Sequence, residues 1–162
     1  MKRFLLVFGV FYIFSCSDQK EINSTSNAAE QLDFDKIEYR FHDASVSPDY
    51  QRNFSWIITK DSIQFIVDSY NKILQDTSIK TPPNKWGHCK ADFFTRGIKN
   101  KKPESETSLT GGTGVSIRTF LGTKETFSGY VYEKSYGDMK GDIDQFLLTI
   151  QRGIDSDFYQ IR

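Results

Sequence analysis

Two cysteines and two histidines are the residues of this 162-residue chain best suited to covalent or metal chemistry. Cys89 directly follows His88, and His42 lies far upstream. A cysteine nucleophile needs a lowered pKa and a base held beside it. A small thiol-dependent hydrolase using Cys89 with either histidine is therefore the enzymatic alternative. The competing reading makes Cys89 a small apolar residue on the inner face of a helix, where free cysteines usually reside. A metal site is not expected: His42, His88 and Cys89 lack the paired spacing of a structural zinc centre. Gly111-Gly112-Thr113-Gly114 lacks the Lys-Ser/Thr pair of a phosphate loop and opens a strand pattern, so it reads as a hairpin or loop connection. Asp142, Asp144, Asp155 and Asp157 lack the ligand order of a calcium loop, and Asp142 is better used as a helix cap. Lys99, Lys101 and Lys102 are followed by Glu104 and Glu106, the pattern of a solvated loop. No cofactor is implied, and the balance favours a protein without catalytic activity.

Aromatic residues make up 15% of the chain, which argues for a real core and against overall disorder. Tyr130, Tyr132 and Tyr136 fall in or just beyond a late strand pattern. Tyrosine buries area while keeping a polar handle, so these three are the candidate interaction aromatics. Tyr39, Tyr50 and Tyr70 sit in the first half. The 21 basic and 21 acidic residues cancel. Nucleic acid requires a concentrated basic surface, so that class of partner is excluded.

The N-terminus gives the firmest indication. Met1-Lys2-Arg3 precedes an apolar run, Phe4–Phe14. At about 1.5 Å of rise per residue, such a run reaches roughly half of a ~30 Å hydrocarbon core. Charge followed by a short apolar stretch is a signal-peptide pattern. It ends in Ile13-Phe14-Ser15-Cys16, which resembles the lipobox of bacterial lipoproteins. The resemblance implies cleavage after residue 15, a lipid on Cys16 and a membrane anchor. Two or more acyl chains would hold firmly where one is marginal. Ser17, rather than Asp, follows the cysteine, which in that family favours outer-membrane delivery. Ser17-Asp18-Gln19-Lys20-Glu21 also resembles the acidic export signals of surface lipoproteins in the Bacteroidota. The periplasmic face and the cell surface both stay open. With Cys16 lipidated, Cys89 has no intramolecular disulfide partner, and pairing between molecules is a third reading for it.

Residues 16–31 are polar, small and aperiodic, as in a flexible tether. One domain is expected over 32–162. Ile37, Tyr39 and Phe41 alternate with polar neighbours, as do Phe54, Trp56 and Ile58, then Ile63, Phe65 and Val67. The last two runs are joined so closely by Lys60-Asp61-Ser62 that they predict an antiparallel hairpin. Ile57 and Ile66 on the alternate positions suggest a partly covered second face. Ser47-Pro48-Asp49 marks a turn, and residues 75–85, with Pro82-Pro83, read as a loop. Asn84 is expected to cap a helix bearing Trp86, Cys89, Phe93 and Phe94 and stopped by Gly97, with Ile98 packing back. Strands are expected at Val115–Thr119 and over 126–134. A last helix is expected to start at Asp142, with Gln145 completing a capping box and Ile143, Phe146, Leu147 and Ile150 on one face. Arg152 and Gly153 close it.

Strands, helix, strands, helix predict an α+β fold: an antiparallel sheet of about five strands with two helices packed on one face. Tyr39-Arg40-Phe41-His42-Asp43, Ser47-Pro48-Asp49-Tyr50, Arg52 and Asp68-Ser69-Tyr70 resemble small lipoproteins of Bacteroidota; no activity follows from that resemblance. Asp61-Ser62-Ile63 is similar to the O-glycosylation motif of exported proteins in the same phylum. The expected role is a lipid-anchored binding or protein-interaction module at the outer membrane, with an envelope protein as partner. A structural envelope component is the further alternative.

Overall fold

Alternation with period two recurs in strand segments between residues 36 and 132, and these segments build one sheet. A computed structural model describes residues 33–43, 46–47, 50–70, 72–101, 112–132 and 138–161. Along this chain run β1 (Lys36–Asp43), β2 (Asn53–Thr59), β3 (Ser62–Ser69), β4 (Lys72–Lys80), α1 (Lys85–Thr95), β5 (Thr113–Leu121), β6 (Lys124–Tyr132) and α2 (Asp138–Gln151). The six strands form a single antiparallel sheet in the order β4-β3-β2-β1-β5-β6. Both helices cover one face of it, so the fold is α+β. Leu32–Arg162 form one compact unit. The segments expected as signal peptide and tether lie outside the described residues.

Register aligns the apolar positions across the sheet. Ile37 faces Ile58, Tyr39 faces Trp56, and Trp56 in turn faces Phe65. On β5 and β6, Val115 faces Val131. Against this layer α1 buries Cys89 and Phe93, and α2 buries Ile143, Phe146 and Ile150. Phe93 joins the layers edge-on, with ring centroids 5.6 Å from Phe127 of β6 and 6.1 Å from Phe146 of α2. Each such side chain taken fully out of water contributes about 1.5–3 kcal/mol. The C-terminal segment closes the rest of this face: Tyr159 sits 5.2 Å from the Trp56 ring, and Thr77 Oγ1 donates to the Phe158 carbonyl at 3.2 Å.

The β2–β3 hairpin forms as its sequence predicts. Thr59 Oγ1 accepts from the amides of Asp61 and Ser62 at 3.3 and 3.0 Å, fixing a two-residue turn. Gly97 ends α1 at φ 61°, and its amide donates to the Phe94 carbonyl at 2.9 Å while Ile98 is buried behind it. Gly153 follows α2 at φ 76°.

Three expectations need correction. The sheet has six strands, because residues 75–80 belong to β4 and not to a loop. β4 is an edge strand with exposed Ile73 and Leu74, so no strong apolar alternation marks it. The last helix begins at Asp138, so Asp142 lies inside it and does not cap it. Asp142 instead forms an ion pair with Lys101 and lies 3.8 Å from Arg96. Finally, Asn84 stands at the N-cap of α1 as expected, but in a left-handed conformation at φ 63° and without a capping side-chain bond.

Candidate functional site

The outward positions of the same strands make the second face of the sheet. Glu38, Arg40 and His42 of β1 alternate with the buried residues and so point away from the helices. Their neighbours are Asn53 and Ser55 on β2, Asp68 on β3, Ser116 and Arg118 on β5, and Tyr130 and Tyr132 on β6. Among the described residues, no helix or strand lies over this face.

The polar groups there are ordered by one another. Arg40 Nη2 meets both carboxylate oxygens of Asp68, at 2.9 and 3.1 Å. Asn53 Nδ2 donates to Asp68 Oδ1 at 2.8 Å, while Asn53 Oδ1 accepts from the Asp43 amide at 2.9 Å. Asn53 and Ser55 are both only 7% exposed, so this network has a buried floor. On the other flank Arg118 Nη2 meets Glu38 at 2.6 Å, and Lys36 meets the same carboxylate at 2.9 Å. Charge is therefore largely cancelled within the face. Half-exposed pairs of this kind contribute little to stability, and their effect here is to fix geometry.

His42 shares a hydrogen bond of 3.0 Å with Ser116 Oγ. Burial, reinforced by Arg40, lowers its pKa from the usual 6.5 and favours the neutral ring. Tyr130 lies with its ring centroid 6.0 Å from His42 and meets Tyr132 edge-on at 5.3 Å. Burial, with Tyr132 beside it, raises the Tyr130 phenol. The Tyr130 ring fits because residue 114 is glycine: a Cβ there would stand 2.0 Å from the Tyr130 hydroxyl. Gly114 thus serves close packing on a strand, with Tyr130 filling the notch it leaves.

The sequence-predicted candidates divide sharply. Tyr130 and Tyr132 lie together on the open face, whereas Tyr136 and Cys16 lie outside the described residues. Cys89 is fully buried among the helices, and burial pushes its thiol up to about 11. His88 is exposed on the far side of the same helix turn, and His42 lies across the sheet. Among the described residues, His42 is bonded to Ser116 on the sheet, and the cation that acts on the buried Cys89 thiol is Lys85. Among the described residues, no three His, Cys, Asp or Glu side chains are grouped as a metal ion would require. Ser62 of the Asp61-Ser62-Ile63 motif is half-buried, with its hydroxyl 3.2 Å from Thr59 Oγ1. Asp144 pairs with Lys140, and Asp155 accepts from the Asp157 amide at 3.0 Å, so these carboxylates stabilise local turns of chain.

Sequence reasoning missed Arg40, Asn53, Asp68 and Ser116. The one signal for them is positional: each occupies the polar half of an alternating strand, and their convergence depends on pairing between segments up to 74 residues apart.

The fold and this face define an open-faced α+β sandwich, with helices on one side of a sheet and an ordered polar-aromatic array on the other. Against known proteins the sequence matches no family profile and no curated protein. Among the described residues, no helix is long and apolar enough to cross a membrane.

Proposed function

We propose that this chain is a lipid-anchored envelope protein of the outer membrane whose domain is a non-enzymatic binding module. The anchor is the lipid on Cys16, and the docking surface is the open sheet face around Arg40, His42, Ser116, Tyr130 and Tyr132. One observation carries the docking reading: the polar groups of this face are already paired and oriented, with two tyrosines beside them. A pre-ordered array loses little side-chain entropy when a partner arrives, and that is what favours binding. Tyrosine adds contact area at low entropic cost. The location rests on the lipobox resemblance of residues 13–16. The partner is expected to be another envelope protein.

Site-specific photocrosslinking in intact cells tests this function. A photoreactive residue in place of Tyr132 should give a discrete protein adduct. The same residue in place of Gln145, exposed on α2, should not. Equal adducts from both positions, or none from either, would remove the open face as the docking surface.

A further inference from the structure

The helix side of the molecule holds a separate feature. A groove of about 590 Å³ runs between the start of α1 and the end of α2. That volume lies within the range of small-molecule sites, commonly about 300–1,000 Å³. Pro82 and Pro83 give it an apolar rim, while Lys85, His88 and Arg152 bring basic nitrogen to its walls.

These three groups are not equivalent. Lys85 is only 7% exposed, and its ammonium donates to the carbonyls of Thr149 and Arg152 at 2.5 and 2.6 Å. It thereby occupies the negative end of α2, which would otherwise repel an anion. An ammonium carries three donors, so these two bonds leave one further N–H. His88 and Arg152 are exposed, and among the described residues neither takes part in an ion pair. The single carboxylate on the wall, Asp92, is held by Arg96 at 2.8 Å. The other prominent charge clusters differ: Arg40 with Asp68, Arg118 with Glu38 and Lys101 with Asp142 cancel internally. Among the described residues, the groove instead sets the Arg152 guanidinium, the His88 ring and the Lys85 ammonium around a space large enough for a ligand.

We propose that the α1–α2 groove is a binding site for a small molecule bearing an oxyanion, a carboxylate or a phosphate, with Arg152 and His88 gripping it and Lys85 at its base. A guanidinium suits either anion, because its parallel N–H groups match two oxygens. Pro82, Pro83 and Ala91 would receive the apolar part of the ligand. Burial and the neighbouring Arg152 also lower the Lys85 pKa. A bound anion would oppose that downward shift.

The test is calorimetric titration of the full-length chain with inorganic phosphate and, separately, with succinate, at constant ionic strength. Saturable binding of either probe is expected; phosphate alone would indicate a phosphorylated ligand, succinate alone a carboxylate one. The His88→Ala, Arg152→Ala double variant changes only exposed side chains, so it should fold. It should weaken binding at least about tenfold, which is the scale of one charge-assisted contact. Lys140→Ala, a cation outside the groove, should leave affinity unchanged. Failure of both probes to bind, or equal affinity in the double variant, would overturn the proposal.

Discussion

Cys89 and His42 show how burial decides what a reactive side chain does. The Cys89 thiol, pushed up to about 11 by desolvation, would be about one part in a thousand thiolate at pH 8. A thiol-specific reagent should therefore leave the folded protein unmodified and react fully once denaturant is added; rapid labelling of the native state would contradict this. The raised pKa also sets a sign. Between its ordinary value of 9.0 and about 11, the folded state holds a proton that the unfolded state has lost, so stability should fall as pH rises through that window. His42 behaves in the opposite direction. Its folded pKa is lowered below 6.5, so the unfolded chain binds the extra proton first, and stability should decline as pH drops from 6.5 toward the folded value. Proton NMR of the His42 ring should give a midpoint below 6.5, and one at or above that value would mean that burial does not govern it.

Lys85 is the clearest case at the scale of elements, since one side chain on the first turn of α1 fastens the last turn of α2. Helices leave their final carbonyls without partners inside the helix, and Lys85 satisfies two of them. Lys85→Met keeps the stem but removes the charged donor that both carbonyls share. It should cost about 1–3 kcal/mol, read as a lower urea midpoint at unchanged slope. An unchanged midpoint would show that the contact is not holding the helices. This contact was not legible in the sequence, because it links residues 64 and 67 positions apart and polar in both contexts. The β2–β3 hairpin was legible, since alternation and a two-residue turn are local signals. So was the end of α1, where Gly97 supplies a left-handed position that other residues resist. β4 was not, because an edge strand exposes most of its side chains and its sequence need not alternate. The start of α2 was hidden for a related reason: of Met139, Lys140 and Gly141 in its first turn, only Met139 is buried, so the apolar rhythm begins one turn late.

At the scale of the whole molecule, the two halves of the sequence speak about different things. The folded domain was legible as α+β from strand and helix order, yet its open face appeared only through its tyrosines. Alternation says which residues share a face, and only the register says which of them meet: Arg40 reaches Asp68 because β1, β2 and β3 pair in one register. The proposed anchor, by contrast, concerns location and turns on chemistry at a single atom. If Cys16 carries the lipid, its thiol is consumed in a thioether, and no disulfide to the buried Cys89 can form. The domain then folds on packing alone, and its attachment to the membrane is independent of its stability. Separate losses should follow from separate substitutions. Cys16→Ala should abolish incorporation of labelled palmitate and release the protein from the membrane fraction, while the urea midpoint of the domain stays the same. Lys85→Met should do the reverse, lowering the midpoint with labelling intact. Labelling that persists in Cys16→Ala would refute the anchor. A midpoint that falls with loss of the lipid would mean that the membrane, and not the sheet–helix core alone, holds the domain together.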